Sequence, residues 1–162
     1  MSLSKRDFLM LALAVPIAAC GFTPAYGPQG GAGKLQNRVT VQAPDTRADY
    51  LLVQRLEERL GRASSPAYLL ETDLDIAEER MAVTTNNITT RFNLVGRLTY
   101  RLRDAGTGEE LSDGRVDSFT GYSATGSTVA TLAAERDAQA RLANILADQL
   151  VTRLIASAAN LP

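Results

Sequence analysis

Two successive stretches of the chain alternate apolar and polar residues with a period of two. In the first, Tyr68, Leu70, Thr72, Leu74 and Ile76 fall on one side, and Glu71, Asp73, Asp75 and Glu79 on the other. In the second, Phe92, Leu94, Leu98, Tyr100 and Leu102 make the apolar side and Arg91, Arg97, Arg101 and Arg103 the polar one. Side chains of a strand point alternately to its two faces, so both runs predict strands buried on one face and solvated on the other. Residues 81–90, which include Asn86 and Asn87, predict the connection between them. The turn-forming run Asp104-Ala105-Gly106-Thr107-Gly108 leads into a further strand over about 111–122, where the alternation is weaker. Upstream, 38–42 alternate as a short strand that Pro44 closes.

Two segments carry helical spacing instead. Thr46 followed three residues later by Asp49 has the form of a capping box, and Leu52, Leu56 and Leu60 recur at i+4 until Gly61. Residues 128–158 contain neither Gly nor Pro, and Leu142, Leu146, Leu150 and Leu154 repeat at i+4 beside Ile145 and Val151. That predicts an amphipathic helix of roughly 45 Å at ~1.5 Å per residue. The order β-α-β-β-β-α predicts an α+β two-layer sandwich, a four-stranded mainly antiparallel sheet covered by two helices.

The first 20 residues follow different rules. Lys5 and Arg6 precede an apolar run from Phe8, and Ala18 and Ala19 stand just before Cys20, the single cysteine in 162 residues. This is the layout of a secretory signal peptide, too short to cross a bilayer core of roughly 20 residues. Ile17-Ala18-Ala19-Cys20 resembles a bacterial lipobox. The resemblance implies cleavage before Cys20, an S-diacylglyceryl group on its sulfur and N-acylation of the new terminus, with no other cofactor. The expected organisation is therefore a lipoprotein signal peptide over 1–19, a lipidated Gly/Pro-rich tether over 20–33, and the α+β domain over 34–162. Gly21, where an aspartate would resemble an inner-membrane retention signal, favours the outer membrane. Ser4-Lys5-Arg6-Asp7-Phe8-Leu9 resembles a twin-arginine export motif with lysine in place of the first arginine, which leaves the export route open.

Composition narrows the chemistry. The formal net charge is −1 and there is no histidine. Without a basic excess a nucleic-acid partner is not expected. With histidine absent and the cysteine acylated, the usual neutral-pH base and the two commonest soft metal ligands are missing, and no catalytic motif is present. The chain is read as a non-enzyme without a metal site. The row Arg91, Arg97, Arg101 and Arg103 has two readings. It is either solvated cross-strand pairing with Glu71, Asp73 and Asp75, or a surface that grips phosphates. Arg91, nearest the loop, has the fewest possible partners and is the best single candidate for an anionic ligand, with Arg97 next.

Cys20-Gly21-Phe22-Thr23-Pro24-Ala25-Tyr26-Gly27 resembles the start of mature sequences in the LptE family of lipopolysaccharide-assembly lipoproteins, alphaproteobacterial members above all. Residues 134–150, from Ala134-Glu135-Arg136 to Asp148-Gln149-Leu150, resemble that family's final helix. The resemblance implies a non-catalytic, lipid-anchored subunit of the outer-membrane lipopolysaccharide translocon. It would sit on the periplasmic side within the lumen of the LptD β-barrel, assist that barrel's assembly and touch lipopolysaccharide. Ligand contacts implied by the family lie near the loop before the third strand, where this chain has Thr84, Thr85 and Asn86, and early in the last helix, where Arg136 is the nearby basic residue. A rival expectation is a free lipoprotein that carries an amphiphile without a barrel partner.

Overall fold

The computed structural model describes residue 27 and residues 30–83, 89–158 and 161. Expectations for the signal peptide, Cys20, Phe22, Tyr26, Thr84, Thr85, Asn86 and Asn87 lie outside the described residues. The elements run α1 (Gly31–Leu35), β1 (Val39–Val41), α2 (Arg47–Leu60), β2 (Tyr68–Val83), β3 (Thr89–Asp104), β4 (Glu110–Ser123) and α3 (Thr128–Ser157). The expected α+β sandwich is present, with one short additional helix at its start.

Local chemistry sets most boundaries. The capping box at the head of α2 is complete, with the Asp49 N–H donating to Thr46 Oγ1 at 3.2 Å and the Thr46 N–H donating to Asp49 Oδ2 at 2.9 Å. Gly61 ends the helix at φ 76°, a left-handed value that a side chain rarely adopts. In the turn from β3 to β4, Asp104 Oδ1 accepts from the N–H groups of Gly106 and Thr107 at 2.9 and 2.8 Å. These two bonds hold the Asp104 carboxyl below its ordinary pKa.

The sheet order is β1-β2-β3-β4. β2, β3 and β4 pair antiparallel, and β1 adds a three-residue parallel pair, Val39 to Val41 against Tyr68 to Leu70. A parallel neighbour requires a crossover, and α2 is that crossover. β2 and β3 run further toward the loop than their alternation predicts, and β2 carries a bulge between Arg80 and Ala82.

One face of the sheet is covered by α2 and α3. Leu142, Leu146, Leu150 and Leu154 on α3 are fully buried with Leu52 and Leu56 on α2, Leu70 on β2, Leu98 and Leu102 on β3, and Val116 on β4. α3 comes closest over Gly96, where an added Cβ would lie 2.8 Å from Leu146 Cδ1 and 3.0 Å from Leu142 Cδ2. The two helices are joined by Arg55, whose Nε and Nη2 donate to the two carboxylate oxygens of Asp148 at 3.2 and 3.0 Å. α1 was not expected, since its Gly-rich sequence reads as tether. It forms because Ala32 and Leu35 bury against the body, Gly31 lets its backbone meet the Ile155 carbonyl on α3, and Lys34 Nζ donates to the Leu161 carbonyl at 2.6 Å.

At the far end of the covered face, Phe92 and Tyr122 stack with ring centroids 5.3 Å apart, and Tyr122 Oη donates to Glu78 Oε2 at 2.7 Å. The bond spans from β4 to β2. Desolvation first, then the Glu78 bond and charge, push the Tyr122 pKa well above that of free tyrosine. A raised pKa favours the protonated form in the folded state. This contribution is therefore complete below the free-tyrosine value near 10 and erodes as pH climbs above it. Tyr122→Phe is expected to cost about 1 kcal/mol at neutral pH and to flatten the alkaline fall in melting temperature. Thermal melts of both proteins from pH 7 to 11 check it, and parallel curves for the two would contradict it.

Candidate functional site

The face of the sheet opposite the helices is where the arginine row emerges, and the strand register orders it into cross-sheet rows. Arg101 lies between Glu71 on β2 and Asp113 on β4, and Arg97 between Asp75 and Asp117. The cross-strand opposition of charge expected from the sequence is present, but β4 supplies much of the pairing. Arg97 Nε contacts Asp117 Oδ1 at 3.3 Å, and Asp117 also takes Arg115 at 3.0 Å. Glu71 is held diagonally by Arg103 at 3.1 Å, and Arg101 leans to Glu110 at 3.9 Å. The expected partnership of Arg97 with Asp75 is thus one of position, with the ion pair going to the other neighbour.

Beyond Arg97 the character changes. The next row is Ala77, Val95 and Phe119, and the one after it Glu79, Asn93 and Gly121. Phe119 is 67% exposed, unusual for an aromatic ring on an open sheet face. Beside it lies a shallow depression of about 330 Å3 lined by Glu79, Asn93, Val95, Asp117, Ser118 and Phe119. The last row places Arg91 between Ala82 and Ser123 with no carboxylate opposite on either side. Arg91 makes no ion pair among the described residues, in contrast to Arg97, Arg101 and Arg103.

The three arginines singled out from the sequence do not form one cluster. Arg91 and Arg97 share the outer sheet face. Arg136 is exposed on α3, the layer that covers the other face. Phe119 and Asp117 were missed because the inward positions next to Phe119 on β4, Ser118 and Thr120, are polar and blur the alternation that would have marked the strand.

What this half of the face offers is an apolar floor, Val95 and Phe119, between Arg91, without an ion pair among the described residues, and Arg97, paired with Asp117. Such a surface can receive an amphiphile, its anionic group on the arginine and its apolar part on the ring. Among the described residues no group of three or more Asp, Glu, His or Cys is placed to hold a metal ion, and no helix is long and apolar enough to cross a membrane.

Comparison with known proteins identifies relatives of this architecture. A search of curated protein sequences finds no match. A lipoprotein of Caulobacter crescentus CB15 is 30% identical, covers 80% of this chain and 96% of its own, and superposes with a TM-score of 0.66. The rare lipoprotein B of Shewanella oneidensis, at 11% identity, shares the fold over 76% of this chain and 96% of its own with a TM-score of 0.59. A minor lipoprotein of Acinetobacter baumannii does so at 17% identity, 78% and 96% coverage and a TM-score of 0.55. The model of the family LptE, described as lipopolysaccharide-assembly, matches residues 36–154, from just before β1 to the last turn of α3. With the fold and this match in agreement, the chain belongs to the LptE lipopolysaccharide-assembly family.

Proposed function

We propose that the chain is the lipid-anchored subunit of the outer-membrane lipopolysaccharide translocon. It is tethered through acylated Cys20, seats inside the lumen of the LptD β-barrel and assists that barrel's assembly. It contacts lipopolysaccharide on the open face of its sheet. Family membership supports the setting, and the graded outer face is the observation that carries the reading of the site. A barrel lumen is polar, and the charge-paired rows around Arg97 and Arg101 are matched to such surroundings. The Arg91, Val95 and Phe119 end is matched to a phosphorylated lipid. Arg136, on the helix layer, would serve as a separate contact.

The site is tested by Arg91→Glu with Arg97→Glu. Lipopolysaccharide affinity is expected to fall about tenfold or more, with the loss smaller at high salt because charge-assisted contacts to phosphate are screened. The fold is expected to survive, since an exposed pair such as that between Arg97 and Asp117 is worth at most about 1 kcal/mol. If these arginines serve only pairing, affinity stays unchanged and the small loss of melting temperature is reversed by Asp117→Arg. Unchanged affinity would sink the ligand role of this face.

A further inference from the structure

β2 is much longer than its neighbour on one side. β1 covers it only from Tyr68 to Leu70. The last bond on that side runs from the Gln42 N–H to the Leu70 carbonyl at 2.9 Å, and beyond it the chain turns at Pro44 into the cap of α2. The Tyr68 N–H also faces that side, donating to the Arg38 carbonyl at 3.1 Å. Peptide groups of a strand address its two neighbours alternately. Thr72, Leu74, Ile76, Glu78 and Arg80 therefore aim their N–H and C=O groups away from β3, into a side where the described residues place no strand.

Unpaired strand edges are ordinarily blunted. At the opposite edge of the sheet, α3 reaches the backbone of β4, where Arg141 Nη2 donates to the Gly121 carbonyl at 3.2 Å. Along β2 there is instead a groove. A cleft of about 450 Å3 lies between Glu71 to Leu74 and the segment Gln42, Asp45, Thr46 and Asp49. It shares Thr46 and Leu74 with a second cleft of about 430 Å3 that continues past Ile76 and Glu78 toward Glu135 and Gln139 on α3. The bulge after Arg80 ends the straight run.

The outward row of β2 beside the groove is mainly acidic, while the basic groups lining the clefts are Arg47 at the head of α2 and Arg101, which leans to Glu110. Asp45, Asp73, Asp75 and Glu79 are exposed and make no ion pair among the described residues, and Arg97, opposite Asp75, is taken by Asp117. On the inner side, Leu74 and Ile76 are only half-buried.

We propose that the open edge of β2, residues 72–80, accepts an extended segment of a partner polypeptide as an added strand, with apolar residues facing Leu74 and Ile76 and alternating lysines or arginines facing Asp73, Asp75 and Glu79. Main-chain bonds would supply affinity, and the alternating side chains would supply selectivity. A second copy of this chain fits poorly, since pairing β2 with β2 sets the same acidic row against itself. The inference goes beyond the lipid site and does not use Arg91 or Phe119.

The test uses the full-length chain in detergent, amide hydrogen exchange, and two seven-residue probes, acetyl-Lys-Val-Lys-Val-Lys-Val-Lys-amide and its glutamate counterpart. The lysine peptide is expected to slow exchange about tenfold at residues 72–80, and the glutamate peptide to leave it unchanged. Asp73→Lys with Asp75→Lys should exchange the two preferences, and Leu74→Pro, which removes one outward N–H, should abolish protection. The charge-swapped variant keeps the proposal testable if the proline variant does not fold. Equal protection by both peptides, protection on β4 instead, or peptide-free self-association that protects β2 would each overturn it.

Discussion

Leu146→Asp is expected to remove the folded protein altogether. Leu146 is fully buried at the point where α3 crosses β3 over Gly96. The substitution loses a packed leucine, about 2–5 kcal/mol in comparable sites. It also strands a carboxylate with no partner, at a further cost of several kcal/mol. Domains of this kind hold only ~5–15 kcal/mol in reserve. The neighbouring Ile145, 38% exposed about 100° round the helix from Leu146, is the internal control. Ile145→Asp should accumulate and melt near the parent protein. Circular dichroism and steady-state levels of the two variants side by side check this. A near-normal melt for Leu146→Asp would mean that the leucine stripe is not the core.

Expressed in a host without the proposed barrel partner, Cys20→Ser is expected to move the protein from the membrane fraction to the soluble fraction without unfolding it. On the proposed lipidation of Cys20, the lipid would act on location alone, because the first buried side chain among the described residues is Ala32, well downstream. Two or three acyl chains at ~0.8 kcal/mol per buried methylene would leave almost no protein free, so without a barrel partner the redistribution should be close to complete. Fractionation with a melt of the soluble form reads both halves of the expectation. A soluble form without a cooperative melt would tie lipidation to folding.

The legible parts of this fold are those whose signal is local. α2 could be placed from Thr46, Asp49, the leucines at 52, 56 and 60, and Gly61, each of which performs in the structure the role its type suggests. The half-buried strands were legible where one face is plainly apolar. Their far ends were not, because Ala77, Glu78, Glu79 and Arg80 are all exposed and carry no alternation. α1 was illegible for another reason. A short run with two glycines has little helical tendency, and its conformation is imposed by the contacts of Gly31, Lys34 and Leu35 with the end of the chain. The candidate site was half visible. The arginine row is a period-two pattern, but whether each arginine is neutralised depends on the register of β4, which the turn at Asp104 fixes and no local pattern reveals. That register separates Arg91, which has Ala82 and Ser123 as its register partners, from Arg97, held by Asp117.

Copurification reads out whether the protein is part of a barrel-bound lipopolysaccharide translocon. The full-length chain, tagged at its C-terminus and expressed at native level, is extracted in mild detergent and its partners are identified by mass. A stoichiometric complex with one large outer-membrane β-barrel protein of the LptD type, stable to washing, is expected. Recovery of the chain alone with lipopolysaccharide bound, and no barrel, would contradict it and would favour a free amphiphile-carrying lipoprotein.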